Sequence, residues 1–420
     1  MELMLTLFLV FGTHILTSAA DSCPYNVKEC SCDVHLLSCS GLDILPPLVS
    51  DNSDGSIRIL MLVDNNIKTV PANSLPANLS SIFFLNMPIT YISPDAFNTS
   101  ADTLGFLLMS NVTYGQIPEA LLNVNNLTDL TFSFAPIRAW NTTVLIHLGK
   151  SVQSLDISYA RLNAWPDVFE YFYNVTSVDF SNNVIASIPN DAFANQFDLR
   201  NISLRGNRLS NAKMLDDALR SVASTLVNLD IGSNTLPSIP SCISGMSRLS
   251  RLDISFNQID DIASAFPPQI KTLYLGHNKI KKLTDTTFLK LTSLETLYLN
   301  DNPLSEISNL AFLPIKNLRE LSLESISLFK IPEALYSLKN LQKLSLGYDF
   351  RCPCSRDPQL VNWYYSLKNV SISGYCYGNV AKMELYFQNA TYKQTCSGSN
   401  LRYSLYLYLS VVVLVRLCVF

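Results

Sequence analysis

Apolar residues recur along residues 57–351 in a pattern that repeats every 21 to 27 residues. Each copy follows the form LxxLxLxxNxL, with apolar residues at positions one, four and six in all thirteen copies. A period of this length indicates a stack of similar structural units, because each unit buries its core against its neighbours. The first positions of the thirteen units are Ile57, Leu79, Leu104, Leu127, Val152, Val175, Leu199, Leu226, Leu249, Ile270, Leu294, Leu318 and Leu341.

Positions four to six of each unit alternate between apolar and variable residues, which is typical of a short β-strand. Two side chains of such a strand point inward and one points outward, and stacked copies form a parallel sheet. The other half of each unit carries turn and short helical signals, for example in residues 117–122, 188–193 and 331–335. Since this half is wider than a strand, the stack must curve with its sheet on the inner side. The pattern predicts an α/β solenoid, a curved horseshoe with a concave parallel sheet of about 13 repeats.

Position nine is asparagine in seven units, and a buried amide there can satisfy backbone groups that the turn leaves unpaired. These residues are Asn65, Asn183, Asn207, Asn234, Asn257, Asn278 and Asn302. Apolar residues occupy the position in five other units: Met87, Val112, Ala135, Ala160 and Ile326. We expect a less well-defined turn in these five units; the alternative is that they accept the apolar residue without a change of geometry.

The two ends of the chain carry apolar segments. Residues 1–20 have the features of a signal peptide, an apolar run followed by small residues before Asp21. Residues 397–420 consist of a run of small residues and an apolar tail, which favours a glycolipid-anchor signal with attachment at Ser397. A single-pass helix is the alternative, although Arg416 would lie inside it. We therefore expect passage through the secretory pathway to the extracellular face of the plasma membrane.

Nine N-glycosylation sequons fit this route and predict a glycosylated exterior. We expect most of these sites near turns or at the rims of the solenoid. They are Asn78, Asn98, Asn111, Asn126, Asn141, Asn174, Asn201, Asn369 and Asn389.

Eight cysteines form two clusters, one directly before the first repeat and one directly after the last: Cys23, Cys30, Cys32 and Cys39, then Cys352, Cys354, Cys376 and Cys396. Such clusters are typical of disulfide-linked caps, which cover the apolar faces at the ends of a solenoid. Partners separated by one residue rarely reach disulfide geometry, so two of the three connectivities stay open in each cluster. Zinc coordination is the alternative, but the secretory route favours oxidation. Cys242 is expected to be a buried free thiol, with an intermolecular disulfide as the alternative.

The repeats and the two cysteine clusters together resemble the extracellular leucine-rich-repeat proteins of animals. The resemblance implies that the first cysteine of each cluster pairs with the third and the second with the fourth. Residues 347–351 depart from the Asn-Pro-aromatic step that this family usually has before its second cap. Trp363 is expected to pack a cap helix onto the last repeat. The implied disulfides are Cys23–Cys32, Cys30–Cys39, Cys352–Cys376 and Cys354–Cys396.

The sequence carries few groups for catalysis. Of its four histidines, one lies in the predicted signal peptide, and we interpret His35, His147 and His277 as surface or structural residues. Nucleophile-elbow, zinc-protease, phosphate-loop and dinucleotide motifs do not occur in it. We therefore predict no enzymatic activity, no metal and no cofactor. With 30 basic and 34 acidic residues the chain also lacks the basic stripe of a nucleic-acid binder.

Position five of each strand points outward, and its residues fall into three zones where a ligand could bind. The first zone is apolar, and neighbouring outward positions extend it. Exposed apolar patches usually mark interfaces. Alternatively these strands rotate and bury their side chains, and a glycan on Asn111 would block the zone. The candidate residues are Met61, Phe83, Leu85, Phe106 and Leu108, with Val63 and Phe134 beside them.

The second zone is a row of aspartates that is interrupted by Ser203 and Arg205. Because neighbouring strands lie about 4.8 Å apart, adjacent carboxylates could together attract a basic ligand. Aspartate after leucine is also common in this repeat family, which is the alternative explanation, and the sequon Asn201 faces outward here. The row consists of Asp156, Asp179, Asp230 and Asp253.

The third zone pairs Tyr274 with Tyr298, flanked by Lys271, Glu295 and Asp301. Adjacent tyrosines supply rigid contact area at low entropic cost, which makes the pair a candidate hot spot. An ordinary exposed strand pair is the alternative.

The predicted function is recognition or adhesion: a lipid-anchored glycoprotein that binds an extracellular protein or a glycan through its concave face and signals only through a co-receptor. The alternatives are a secreted matrix protein that organises other molecules and a single-pass membrane co-receptor. The predicted divisions are a signal peptide (1–20), an N-terminal cap (21–56), the repeats (57–351), a C-terminal cap (352–396) and an anchor-signal region (397–420).

Overall fold

The computed structural model describes residues 23–262, 266–348, 350–352, 357–376 and 383–388. The predicted signal peptide, Ser397 and its anchor region, Cys354, Cys396 and the sequon Asn389 lie outside the described residues. The chain forms two compact units, unit 1 and unit 2, which divide between Ser151 and Val152.

Unit 1 is built around a mostly parallel sheet. Its strands are β1 (Cys30–Asp33), β2 (Leu36–Cys39), β3 (Ile59–Val63), β4 (Thr69–Val70), β5 (Ser81–Met87), β6 (Tyr91–Ile92), β7 (Phe106–Val112) and β8 (Asp129–Ser133). The sheet has the order β1-β2-β3-β5-β7-β8, with an antiparallel β1–β2 hairpin followed by parallel pairings. Strands β4 and β6 pair separately. The returning segments carry two 3-10 helices and helix α1: Asn98–Ser100, Glu119–Asn123 and Thr142–Leu148.

Unit 2 repeats this arrangement with shorter strands. They are β9 (Ser154–Asp156), β10 (Ser177–Asp179), β11 (Asn201–Ser203), β12 (Asn228–Asp230), β13 (Arg251–Asp253), β14 (Thr272–Tyr274), β15 (Lys282–Leu283), β16 (Thr296–Tyr298), β17 (Glu306–Ile307), β18 (Glu320–Ser322), β19 (Lys343–Ser345) and β20 (Ser371–Ser373). The parallel sheet has the order β9-β10-β11-β12-β13-β14-β16-β18-β19-β20, and β15 pairs with β17. The α-helices are α2 (Ala212–Ala218), α3 (Pro358–Ser366) and α4 (Met383–Gln388). Its 3-10 helices are Asp167–Tyr171, Leu219–Val222, Ser241–Gly245 and Glu333–Ser337.

Each of the thirteen predicted repeats contributes one strand at the predicted place, which confirms the leucine-rich-repeat solenoid. Position four is in register from strand to strand, with Ile82 beside Leu60 and Leu107 in unit 1 and Val178 beside Leu155 in unit 2. These residues are at most 2% exposed. Their burial removes a continuous apolar ladder from water, which is the main source of stability in such a stack. Positions three, five and seven point to the opposite side of the sheet, which we call the strand face of each unit.

The asparagines at position nine form the predicted buried ladder, and all seven are at most 8% exposed. Asn207 shows the arrangement. Its Oδ1 accepts from the backbone N–H of Ile185 at 3.1 Å, and its Nδ2 donates to the carbonyl oxygens of Phe180 at 2.9 Å and Leu204 at 3.0 Å. Each amide therefore joins the turn of its own repeat to the repeat before it.

In the first twelve repeats the turn after the strand has a left-handed residue at position eight, with and without asparagine at position nine. At position eight, φ is 56° for Asn182, which precedes an asparagine, and 54° for Asn86, which precedes Met87. Phe134, which precedes Ala135, has a φ of 52°. The expectation of a less well-defined turn is therefore wrong. The left-handed residue sets the turn, and the apolar side chain is buried where the amide would otherwise lie.

Disulfides are present in both cap regions. Cys23–Cys32, Cys30–Cys39 and Cys352–Cys376 are formed, so three of the four implied pairings are confirmed, and Cys354–Cys396 stays a prediction. The sheets also extend into the caps, because β2 pairs with β3 and β20 with β19. Trp363 on α3 is buried, and its Nε1 donates to the carbonyl oxygen of Leu338 at 3.1 Å. This contact packs the cap helix against the returning segment of the twelfth repeat, directly before the last repeat begins at Leu341.

Candidate functional site

The first predicted zone is an apolar strip on the strand face of unit 1. Met61, Phe83 and Leu108 are in register across β3, β5 and β7. Phe83 is buried because its ring packs against that of Phe106, with centroids 5.1 Å apart, whereas Met61, Leu85 and Leu108 are half-buried. The alternative, a rotation of the strands, is wrong, since the position-four residues keep their inward register. The strip stays a candidate contact surface.

The sequon Asn111 lies at the exit end of the same strands. Its exposed side chain donates to Asn86 Oδ1 at 3.0 Å, and Asn86 Nδ2 donates to Asp64 Oδ1 at 2.8 Å. These side chains form a hydrogen-bonded polar row beside the apolar strip. A glycan on Asn111 would stand at this edge, so shielding of the strip stays a prediction.

Each aspartate of the second zone accepts a hydrogen bond from the turn after its own strand. Asp156 Oδ1 accepts from the backbone N–H of Ser158 at 2.9 Å, and Asp179 Oδ1 from that of Ser181 at 2.7 Å. The same contact joins Asp230 to Gly232 and Asp253 to Ser255. These contacts support the alternative explanation, in which aspartate after leucine belongs to the structure of the repeat.

Arg205 partly neutralises the end of this aspartate row. Its Nη1 lies 3.5 Å from Asp253 Oδ2 and 3.8 Å from Asp230 Oδ1, and its guanidinium lies 5.6 Å from the ring centroid of Phe256. Burial, reinforced by the neighbouring Asp253, raises the pKa of Asp230 to about 6. The row therefore offers less free negative charge to a basic ligand than the sequence suggests.

The third zone contains a stacked aromatic pair on the strand face of unit 2. The rings of Tyr274 and Tyr298 are inclined by 24°, with centroids 4.9 Å apart. From the side of β13, the Arg251 guanidinium carbon lies 4.4 Å from the ring centroid of Tyr274, and Arg251 Nη1 donates to the Tyr274 hydroxyl at 2.8 Å. From the side of β18, Glu320 Oε1 accepts from the Tyr298 hydroxyl at 2.6 Å and pairs with Lys343. We call these five residues the tyrosine strip.

Three members of the tyrosine strip were not predicted. Arg251, Glu320 and Lys343 hold position three of their repeats, two residues before position five and therefore on the same side of the strand. Reading position three as an outward column would have identified them. Two predicted flanking residues, Lys271 and Glu295, lie one residue before β14 and β16, at the entry end of the strands.

A second aromatic and charged row follows the exit end of these strands. The rings of Phe256 and His277 stack with centroids 3.8 Å apart, and His277 Nε2 lies 3.2 Å from Asp301 Oδ2. All three residues occupy position eight with left-handed backbone. The predicted flanking residue Asp301 therefore belongs to this row, where it pairs with His277.

At the entry end, the strands border a polar hollow of about 480 Å³. Arg319 Nε lies 3.8 Å from Glu295 Oε2, and Asn340 Nδ2 donates to the carbonyl oxygen of Lys316 at 2.9 Å. The hollow adds hydrogen-bonding groups to the surface beside the tyrosine strip. Its lining residues are Lys271, Ser293, Glu295, Asn317, Arg319, Asn340 and Gln342.

The predicted glycan sites are unevenly distributed over the molecule. Asn201 lies in β11 on the strand face of unit 2, where its Oδ1 accepts from Asn228 Nδ2 at 2.6 Å. Between Asn201 and Asn369 the sequence has no sequon, and the tyrosine strip belongs to this stretch. The sites Asn78, Asn126 and Asn174 directly precede position one of a repeat, whereas Asn98 and Asn141 lie on returning segments.

Few polar groups converge elsewhere in the described part of the chain. Within it, no set of three or more histidine, cysteine or acidic side chains could hold a metal ion. His35 and His147 each bind a backbone carbonyl oxygen at 2.8 Å.

Cys242 is a half-buried free thiol, and burial together with Asp216 raises its pKa to about 12. Over the described residues, no helix has the length and apolar character needed to cross a membrane.

Comparison with known proteins identifies leucine-rich repeats within residues 164–328. Two family models match, "Leucine rich repeat" over residues 268–328 and "BspA type Leucine rich repeat region (6 copies)" over residues 164–274. Podocan-like protein 1 of Homo sapiens is 26% identical over 280 residues, which cover 65% of this chain and 44% of the relative. Lumican of Mus musculus is 30% identical over 97 residues, which cover 23% of this chain and 28% of the relative. The chain thus spans less than half the length of these curated relatives.

The fold is also found among solved structures. A leucine-rich-repeat protein of Leptospira interrogans superimposes with a TM-score of 0.60 at 20% identity, covering 79% of this chain and 93% of that one. At this identity the likeness shows the fold alone. With its thirteen repeats, its disulfide-linked caps and these matches, the chain has the leucine-rich-repeat fold, and it resembles the extracellular leucine-rich-repeat proteins of animals.

Proposed function

We propose that this chain is a non-enzymatic recognition or adhesion glycoprotein of the cell exterior, and that it binds an extracellular protein through the strand face of unit 2. The tyrosine strip is the observation that carries the proposal. Its two rings stack on each other and are held by Arg251 and Glu320, so little side-chain freedom is left to lose on binding. Tyrosine and arginine in such fixed positions are typical of binding hot spots.

An added glycan beside the strip tests which face binds. Gln342→Thr turns Asn340-Leu341-Gln342 into a sequon at the polar hollow, and Phe197→Thr creates a matched sequon at Asn195 on a returning segment. The mature protein released from expressing cells is multimerised and used to stain cells that bind the wild type. We expect Gln342→Thr to abolish staining and Phe197→Thr to leave it unchanged.

Two outcomes of this experiment would contradict the proposal. Undiminished staining by a Gln342→Thr protein that mass spectrometry shows to be glycosylated at Asn340 would place the contact away from this face. Staining that survives brief trypsin treatment of the cells would exclude an exposed protein as the partner.

The proposal also includes a glycolipid anchor at Ser397, which the small residues and apolar tail of 397–420 support. Phosphatidylinositol-specific phospholipase C should release the protein from cells that express the full chain. Retention after treatment would favour the terminal-helix alternative. Recovery of the protein from the medium of untreated cells would favour the secreted matrix protein.

A further inference from the structure

The basic residues around the tyrosine strip are more available to solvent than the acidic ones. The cations are Arg251, Lys271, Arg319 and Lys343, at position two or three of four repeats. Arg319 and Lys343 have side chains that are 60% and 57% exposed, and Lys271 is exposed without an ion pair among the described residues.

The two acidic residues at these positions in the last five repeats are already engaged. Glu320 is 26% exposed and accepts from both Tyr298 and Lys343. Glu295 is 39% exposed and pairs with Arg319 at 3.8 Å.

Positions two and three of the last five repeats therefore carry four cations and two carboxylates. Of the carboxylates further along the strands, Asp253 lies 3.5 Å from Arg205, and Glu324 acts electrostatically on Lys343. In a chain whose formal net charge is −4, the entry side of the tyrosine strip thus presents net positive charge to a partner.

The ring faces of Tyr274 are covered within the strip. Because β14 lies between β13 and β16, Arg251 covers Tyr274 from one side and Tyr298 from the other. The edges of the two rings remain for a partner, since the Tyr298 hydroxyl already donates to Glu320 and the Tyr274 hydroxyl already accepts from Arg251. A sugar that stacks on an aromatic residue needs a free ring face, which Tyr274 does not offer, so at this residue the geometry favours a protein partner over a saccharide.

We propose that the tyrosine strip, together with Lys271 and Arg319, is the docking surface for an acidic segment of an extracellular protein. The cations supply charge complementarity, and the fixed tyrosine edges supply contact area at low entropic cost. The strands β12 to β19 carry no sequon, so no glycan is expected on the tyrosine strip itself. This inference rests on the proposed function and adds the chemistry of the partner.

Synthetic probes test this chemistry on the mature glycosylated protein. The probes are a dodecapeptide of alternating Glu and Ser, its Lys/Ser counterpart, and heparin. We expect the Glu/Ser peptide to bind and the Lys/Ser peptide not to, with binding weakened roughly tenfold by 0.5 M salt through screening. Lys271→Glu with Arg319→Glu should weaken Glu/Ser binding by at least roughly tenfold, because two attractive charges become repulsive.

The control exchanges exposed lysines elsewhere, Lys28→Glu with Lys290→Glu, and should bind like the wild type. Lys271→Gln alone serves if the double variant is not secreted, and it should weaken binding about threefold.

Three results would each overturn the inference: equal binding of both peptides, unchanged binding by the strip variants, or binding of heparin but not of the Glu/Ser peptide. Cell staining by the same variants distinguishes a failure of this inference from a failure of the proposed function. Staining that depends on the strip but persists in these charge variants leaves the proposed function standing and removes the acidic partner.

Discussion

Asp230 and Asp253 hold the same register position on adjacent strands, and the guanidinium of Arg205 faces both carboxylates. Burial raises the pKa of Asp230 to about 6, with a further contribution from the charge of Asp253. At neutral pH the folded chain therefore holds a carboxylate whose ionised form is less favourable than in the unfolded chain.

This pKa predicts a specific pH dependence of stability. A folded-state pKa above the unfolded one means that the folded state binds more protons between about pH 4 and 6, so stability falls as pH rises through this window. Relative to Asp230→Asn, the wild type should lose at most roughly 2 kcal/mol of unfolding free energy from pH 4 to pH 7. Urea unfolding followed by circular dichroism measures the difference, with the exposed Asp198→Asn as control. A difference that is constant with pH would contradict the shifted pKa.

The stacked tyrosines predict a graded loss of partner binding. Tyr298→Ala removes both the stack and the bond to Glu320, and should weaken cell staining roughly 30-fold, the effect of a hot-spot residue. Tyr298→Phe keeps the stack and should weaken staining only about threefold. Tyr91→Ala, an exposed tyrosine of unit 1, is the control. Equal effects of the two Tyr298 variants would mean that the stack contributes nothing.

The position-nine ladder predicts a large effect on stability. Asn257 Oδ1 accepts from Leu236 N at 2.9 Å, and its Nδ2 donates to Ile231 O and Ile254 O at 3.1 Å each. Asn257→Ala leaves these buried backbone groups unpaired and should lower the unfolding free energy by roughly 3 kcal/mol. The exposed Asn309→Ala should change it by less than about 0.5 kcal/mol. A similar small change for Asn257→Ala would show that the backbone groups find other partners.

The cap connectivity predicts the fourth disulfide. Peptide mapping of the mature protein without reduction should recover Cys354 joined to Cys396, in addition to the three disulfides of the described residues. Alkylation before digestion identifies free thiols. An alkylated Cys354, or its recovery with a different cysteine, would contradict the connectivity that the resemblance implies.

Cys242 should react slowly with alkylating reagents. Because burial and Asp216 raise its pKa to about 12, the reactive thiolate is scarce at pH 8. We expect iodoacetamide to label the folded protein at least roughly a hundredfold more slowly than the urea-unfolded protein at the same pH. Comparable rates would show that the thiol is accessible and has an ordinary pKa.

The repeats, the strands and the cap cysteines could all be predicted from the sequence. These features can be identified from short stretches of sequence. An apolar residue at position four marks each strand, and an asparagine at position nine forms hydrogen bonds with backbone groups of its own turn and of the preceding turn. The mistaken expectation about turns such as that of Met87 has the same origin. The sequence shows which side chain is missing at position nine, but it does not show that the left-handed residue before it, Asn86, sets the turn.

The candidate site, in contrast, is decided by contacts between repeats. By itself the sequence determined that Tyr274 and Tyr298 point outward from adjacent strands. Only the tertiary structure places Arg251 against one tyrosine and Glu320 against the other, and brings Arg205 to the aspartate row. The physical reason is that a repeating pattern fixes which way a side chain points, whereas the rotamer of a long charged side chain decides which neighbouring strand it reaches.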